Sequence, residues 1–199
     1  MIYNAPLMPT AVVLVVAFLL GSIPTGVLVA RQRGVDLRKV GSGNIGATNV
    51  GRALGKRWAV FVLLVDAGKG ALPVLVAGAV SADPWLPALG GLGAVLGQVF
   101  SVFLRGRGGK GVATSLGAGM ALAPLPSLLC LGTFVLVYTV FRLVSVGSLA
   151  AVVCYPLFLL LLGLATPPRL AFALVVLGVV TVRHRANLGR LVRGEEHRA

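Results

Sequence analysis

The sequence predicts an all-α, polytopic integral membrane protein with seven transmembrane helices, the N-terminus outside and the C-terminus cytoplasmic. Three observations carry that expectation. First, 57% of the 199 residues are hydrophobic and only 12% are charged, against about 45–50% and about 25% in ordinary soluble domains. Second, the mean hydropathy is +0.97; a soluble fold of this length has no interior large enough to hide so much apolar surface. Third, 18 Lys and Arg stand against five Asp and Glu, a formal charge of +13. These cations punctuate apolar runs rather than covering a solvated face, which argues against a nucleic-acid partner. The 27 glycines and 11 prolines point to closely packed or broken helices rather than plain anchors. The whole chain, 1–199, reads as a single membrane-embedded domain.

The first element is the run 7–30, with no charge before Arg31. It lacks a basic start and is too long for the core of a signal peptide, so it reads as a retained span. Further apolar runs follow at 58–80, 85–104, 111–141, 143–165 and 169–182. As one helix, 111–141 would reach about 46 Å at 1.5 Å per residue, against a hydrocarbon core of about 30 Å. Ala123-Pro124-Leu125-Pro126 divides it, because proline removes a helix hydrogen bond; two short spans result, seven in all. In that topology every Lys and Arg except Lys69 and Arg169 is cytoplasmic, as the positive-inside rule requires. Leaving 111–141 undivided would place the Arg183–Arg198 tail outside. Cys130 and Cys154 lie in apolar runs without metal-type spacing and read as buried free thiols.

Three polar segments reach the same side. The first is Gly41-Ser42-Gly43-Asn44-Ile45-Gly46-Ala47-Thr48-Asn49, followed by Arg52. Its glycines let amide groups converge on an anion, and Arg52 adds a planar fork suited to phosphate. Gly41, Gly43 and Gly46 also fit G-x-G-x-x-G, with Asp66 downstream, but no strand precedes and a membrane span follows, which excludes the dinucleotide fold. The second is Arg105-Gly106-Arg107-Gly108-Gly109-Lys110-Gly111, opening a span at Val112-Ala113-Thr114, an anion site at a helix N-terminus. It is not a Walker A loop, since Gly111 follows the lysine. The third is the tail from Arg183-His184 through Asn187 to Glu195-Glu196. His184 and Asn187 share a face if the helix continues. Asp66 and Lys69, inside the second span at i, i+3, read first as a mutually neutralising pair.

These three segments resemble, in order, the signature motifs of the bacterial acyl-phosphate:glycerol-3-phosphate acyltransferases (PlsY type). Gly21-Ser22-Ile23-Pro24-Thr25-Gly26 and Asp66 with Lys69-Gly70 support the resemblance, which covers nearly the whole chain. Departures are Gln98 where the family usually has His, Ser101 in place of Pro, and Arg107 in place of Lys. The resemblance implies seven helices in the bacterial inner (cytoplasmic) membrane and an active site facing the cytoplasm. It also implies transfer of a fatty acyl group from acyl phosphate to the sn-1 hydroxyl of glycerol 3-phosphate, giving lysophosphatidic acid and phosphate.

Because the donor the resemblance implies is already activated and both substrates carry phosphate, positioning and charge stabilisation are expected to supply most of the rate. No Ser-His-Asp or Cys-His arrangement suggests an acyl-enzyme. Ser42, Arg52 and Lys110 are the expected phosphate binders, with Gly108, Gly109 and Gly111 shaping the second cradle. His184 and Asn187 would orient the glycerol hydroxyl. Gly41, Gly43, Asn44, Gly46, Thr48, Asn49, Thr114 and Glu195 complete the expected substrate contacts. The proton acceptor is either His184 or a phosphate oxygen of the donor; the surrounding Arg183, Arg185 and Arg190 favour the latter by opposing a further proton on the imidazole. The expected partners are the two substrates and the lipid bilayer, with the protein functional as a monomer. No metal or cofactor is expected, because five acids and two histidines form no ligand cluster. The rival class is a small phosphate or organophosphate transporter.

Overall fold

The computed structural model describes residues 7–198, and these are helical wherever regular. The expected outside N-terminus, residues 1–6, lies outside the described residues. The first apolar run forms α1 (Leu7–Ser22) and α2 (Thr25–Arg31). The interruption falls at Pro24, which has no N–H to continue the ladder. Neighbouring elements take up carbonyls at the break: Ser101 Oγ donates to Ser22 O at 2.5 Å and Lys69 Nζ to Ile23 O at 2.6 Å. A short amphipathic α3 (Ala47–Leu54) follows, then the long α4 (Lys56–Val80) and α5 (Trp85–Val99).

The uncharged run divides where the prolines demand. α6 (Val112–Leu122) and α7 (Pro124–Phe141) meet at Ala123, whose φ of −155° and ψ of 88° are non-helical. A residue before proline is pushed out of the α region by the proline ring. α8 (Val144–Leu161), α9 (Pro167–Arg183) and α10 (Arg185–Val192) complete the chain, the last two meeting at 54° about His184. Among the described residues five helices have the length and apolarity to cross a bilayer, or six if α9–α10 counts as one bent span. The expected count of seven therefore depends on α6, an apolar helix of 11 residues that covers about 16 Å. Leu64, Leu136 and Leu161 are among the large apolar side chains left exposed on the outside of the bundle, the surface of a multi-pass membrane protein.

Glycines set the closest helix contacts. A methyl at Gly21 or Gly97 would overlap the Ala94 or Phe18 carbonyl, so α1 and α5 pack backbone to backbone. Gly70 and Gly117 do the same for α4 and α6. Without a hydrophobic force between helices in lipid, small residues bring helices together by van der Waals contact. The Asp66–Lys69 pair forms at 2.6 Å, and Gln98 bridges it, its amide donating to Asp66 Oδ2 at 3.1 Å and its oxygen accepting from Lys69 at 3.2 Å. Cys130 and Cys154 are free thiols. The N-termini of α3, α6 and α8 and the α9–α10 corner gather at one end of the bundle, where the polar pocket lies.

Candidate active site

The loop before α3 folds around one side chain. Asn49 is buried; its amide donates to the carbonyls of Leu37, Val40 and Asn44 at 3.1, 3.0 and 2.8 Å, and its oxygen accepts from Ser42 N at 3.1 Å. Gly41 and Gly43 take φ of +54° and +66° to wrap this knot, a conformation that disfavours a Cβ. Asn44 Oδ1 accepts from Gly46 N at 3.0 Å, which opens α3 toward the pocket. Ser42, Asn44, Gly46, Thr48, Asn49 and Arg52 all reach its wall; Gly41 and Gly43 do not. Asn49 thus shapes the loop with every donor it has.

The glycine-rich loop before α6 is built differently from expectation. The amides of Gly108 and Gly109 donate to Val99 O and Gln98 O at 3.1 and 2.9 Å, so neither is free for an anion. Their carbonyls accept from Arg183, whose Nη2 and Nε lie 3.0 and 3.1 Å away. A Cβ on Gly108 would overlap the Gln98 carbonyl. These two glycines therefore anchor the loop while Lys110, Gly111 and Thr114 line the pocket. Gly111, at φ +83°, starts α6, and the first-turn N–H groups have no partner within that helix. Thr114 Oγ1 is buried and has no hydrogen-bond partner among the described residues.

His184 and Asn187 come from the α9–α10 corner. His184 is 1% exposed, and its Nδ1 lies 2.8 Å from Val180 O. A carbonyl only accepts, so Nδ1 carries the hydrogen and Nε2 keeps its lone pair. Burial first, then the charge of Lys110, lowers its pKa to about 4, against opposition from the Val180 bond and Glu196. Lys110 is lowered to about 8, chiefly by burial and then by Arg190, Arg52 and Arg183, with Glu196 opposing.

Gly194, at φ +71°, ends α10, with Gly194 N donating to Leu191 O at 3.1 Å and Glu195 N to Arg190 O at 2.8 Å, a glycine-capped reversal. It turns the tail so that Glu196, not Glu195, reaches the pocket. Glu196 Oε1 accepts from Asn187 Nδ2 at 2.5 Å and Ser145 Oγ at 2.9 Å, and Oε2 pairs with Arg190 Nε at 2.8 Å. Burial works against its charge, yet these hydrogen bonds hold its carboxyl below the ordinary range. Glu195, the expected contact, instead points outward to Arg193; the turn decides between the two acids.

The pocket holds about 160 Å³. Besides the expected Ser42, Arg52, Lys110, His184 and Asn187, its wall includes Asp66, Gln98, Phe134, Ser145, Ser148, Glu196 and His197. Ser145 and Ser148 stand three apart at the start of α8 just beyond Arg142, a spacing legible in the sequence. Gln98 and Asp66 reach the wall through long-range packing; for Asp66 the signal is a charge inside an apolar span, which reads first as half of a pair with Lys69. Among the described residues no three His, Cys, Asp or Glu side chains converge as a metal site would need.

The pocket opens into an apolar groove of about 320 Å³ between α4, α6, α7, α8 and α9. Ala47, Thr48, Leu63, Val112, Ala113, Phe134, Val144 and Ser148 line both. One end therefore offers cations and helix N-termini, and the other a channel for hydrocarbon. Such an arrangement has the shape and charge to suit a molecule with an anionic head and an apolar tail.

Known proteins share this architecture. The profile of the family described as glycerol-3-phosphate acyltransferase matches residues 11–194. A glycerol-3-phosphate acyltransferase of Geobacter sulfurreducens is 47% identical over 184 residues, covering 92% of this chain and 94% of that protein. Its counterpart in Aquifex aeolicus is 44% identical over 92% of this chain and 95% of its own. The crystal structure of PlsY (YgiH), an integral membrane glycerol 3-phosphate acyltransferase, in its glycerol 3-phosphate form superposes with a TM-score of 0.92 at 41% identity, covering 96% of each chain. Its lysophosphatidic acid form gives 0.89 at 40% identity, covering 96% of this chain and 95% of that one. With motifs, pocket and fold in agreement along almost its full length, the chain belongs to the glycerol-3-phosphate acyltransferase family.

Proposed function

We propose that the protein transfers a fatty acyl group from acyl phosphate directly to the sn-1 hydroxyl of glycerol 3-phosphate. The observation that carries this reading is the continuity between a cationic polar pocket and an apolar groove. Arg52, Lys110 and the first turn of α6 hold the two phosphates, with Ser42, Thr48 and Thr114 as neutral donors. The groove takes the acyl chain. The glycerol oxygen attacks the carbonyl carbon, the acyl–phosphate C–O bond breaks, and phosphate leaves.

The hydroxyl proton passes to an oxygen of the departing phosphate. His184 at a pKa of about 4 is a weak base near neutrality, while its Nε2 is placed to accept a hydrogen bond from that hydroxyl. Asn187, its amide committed to Glu196, has its oxygen left for the same task. A His184→Gln enzyme retaining substantial turnover supports this route; loss of the base-dependent limb of the pH profile points to His184 instead.

Seven crossings, with the N-terminus outside and the pocket on the cytoplasmic side of the bacterial inner membrane, follow if α6 and α7 each cross. The break at Ala123 and the clustering of cations at the pocket end support that topology. Purified protein given acyl phosphate and glycerol 3-phosphate should release inorganic phosphate and form lysophosphatidic acid in equal amounts. Folded protein that releases none, or that moves glycerol 3-phosphate across a vesicle membrane unchanged, overturns the enzyme reading in favour of a carrier.

A further inference from the structure

We propose that Tyr155 and the side chains packed with it close the deep end of the apolar groove and set the acyl-chain length the protein accepts. The proposal rests on the reading of that groove as the acyl site. The groove descends in the same sense along α6, α7 and α8. On α6 it runs from Val112 to Ser115 and Leu116, on α7 from Phe134 back to Ser127, and on α8 from Val144 to Tyr155. Beyond Tyr155 it stops: Leu159, the next turn of α8, is fully buried in the core and does not line it.

The floor is rigid. The Tyr155 ring meets Phe172 edge to face, with centroids 6.2 Å apart, and Phe172 is 1% exposed. A methyl on Gly119 would lie 2.9 Å from Ser127 Oγ and 3.4 Å from Tyr155 Oη, so α6 leaves no room behind the ring. The floor is also polar. Ser115 Oγ and Tyr155 Oη are buried and have no hydrogen-bond partner among the described residues. A hydrocarbon chain continuing past that level would cover both hydroxyls and keep them from any water, which is unfavourable.

The length follows from the helix. From Val144 to Tyr155, α8 covers about 16 Å at 1.5 Å per residue. An extended chain advances about 1.2 Å per bond, so the groove takes an acyl group of roughly 14 carbons. Longer chains must leave by the flank at Leu131, which is exposed, and lose contact with the floor. Discrimination of about tenfold or more for each misplaced methylene is ordinary for such a pocket.

The test is competition among acyl phosphates of 12 to 18 carbons at fixed glycerol 3-phosphate, with the lysophosphatidic acids resolved by mass. Wild type should peak near 14 carbons, and Tyr155→Val should raise the 18-to-14 product ratio at least tenfold. Tyr155→Phe, which keeps the wall and removes the hydroxyl, should leave the peak in place and raise the 16-carbon product a few-fold. A folded Tyr155→Val enzyme with an unchanged ratio overturns the proposal.

Should that variant not fold, Cys130, which lines the floor, reports occupancy in a Cys154→Ser background. Lysophosphatidic acid with a 14-carbon chain should protect the thiol from a membrane-permeant alkylating reagent, and an 8-carbon one should not. Equal protection by both, or by neither, overturns the length stop. If wild type uses no acyl phosphate at all, the donor assignment fails by itself, and the protection experiment still decides the groove.

Discussion

Lys110 stands in a pocket where burial and three arginines push against its charge, and its pKa of about 8 places that charge at risk just above neutrality. An ordinary lysine near 10.4 would stay charged through this range. The ammonium is held below about pH 8 and lost above it, so kcat/KM should fall about tenfold per pH unit beyond that point. Lys110→Arg should move this limb out of the accessible range, because guanidinium does not titrate there. Lys110→Ala should lower kcat/KM by about 10²-fold or more, as removal of one charge-stabilising donor does elsewhere. A wild-type profile flat to pH 9.5 contradicts the assignment.

The two adjacent glutamates give a second contrast at this scale. Glu196 holds Asn187, Ser145 and Arg190 together, so Glu196→Ala should cost about 2 kcal/mol of stability and most activity. Glu195→Ala removes an exposed ion pair and should shift stability by less than about 0.5 kcal/mol. Thermal unfolding in one detergent compares them. Since the Glu196 carboxyl is held below its ordinary range, its contribution is present above the ordinary carboxylate pKa and disappears as pH falls through the folded-state value.

Between helices, the glycines act as contact surfaces more than as sources of flexibility. Gly117 meets the Ala67 carbonyl so closely that a Cβ has no space, whereas Gly132 on α7 faces nothing within 4 Å. Gly117→Ala should therefore destabilise by about 3 kcal/mol or more or abolish assembly, beyond the usual range for overpacking. Gly132→Ala should be neutral or slightly stabilising, since alanine is the better helix former. Equal yields of folded protein from the two variants would refute the backbone-to-backbone packing of α4 and α6. The Pro24 break shows the same economy: Lys69 is neutralised by Asp66 and donates to the Ile23 carbonyl at the break. That explains a lysine inside an apolar span better than charge pairing alone.

At the scale of the molecule, the site exists only if segments far apart in sequence lie on one face of the membrane. Reporter tags in the 31–57 connection and after Arg198 should be labelled from the same compartment, and a tag at 82–84 from the opposite one. Labelling of the first two from opposite sides would exclude a shared pocket.

The apolar runs, the proline break at Ala123, the cationic connections and the residue types suited to phosphate were all legible in the chain. Each depends on a local quantity: transfer free energy over about twenty residues, a missing N–H, or a side chain's charge. The packing of the bundle decided the rest. It consumed the amides of Gly108 and Gly109 in anchoring their loop, chose Glu196 over Glu195 through one glycine turn, and brought Gln98 and Asp66 to the pocket. It also opened an apolar groove from five helices whose individual sequences show no groove. Those outcomes depend on contacts between residues dozens of positions apart, and no periodicity along a single segment encodes them.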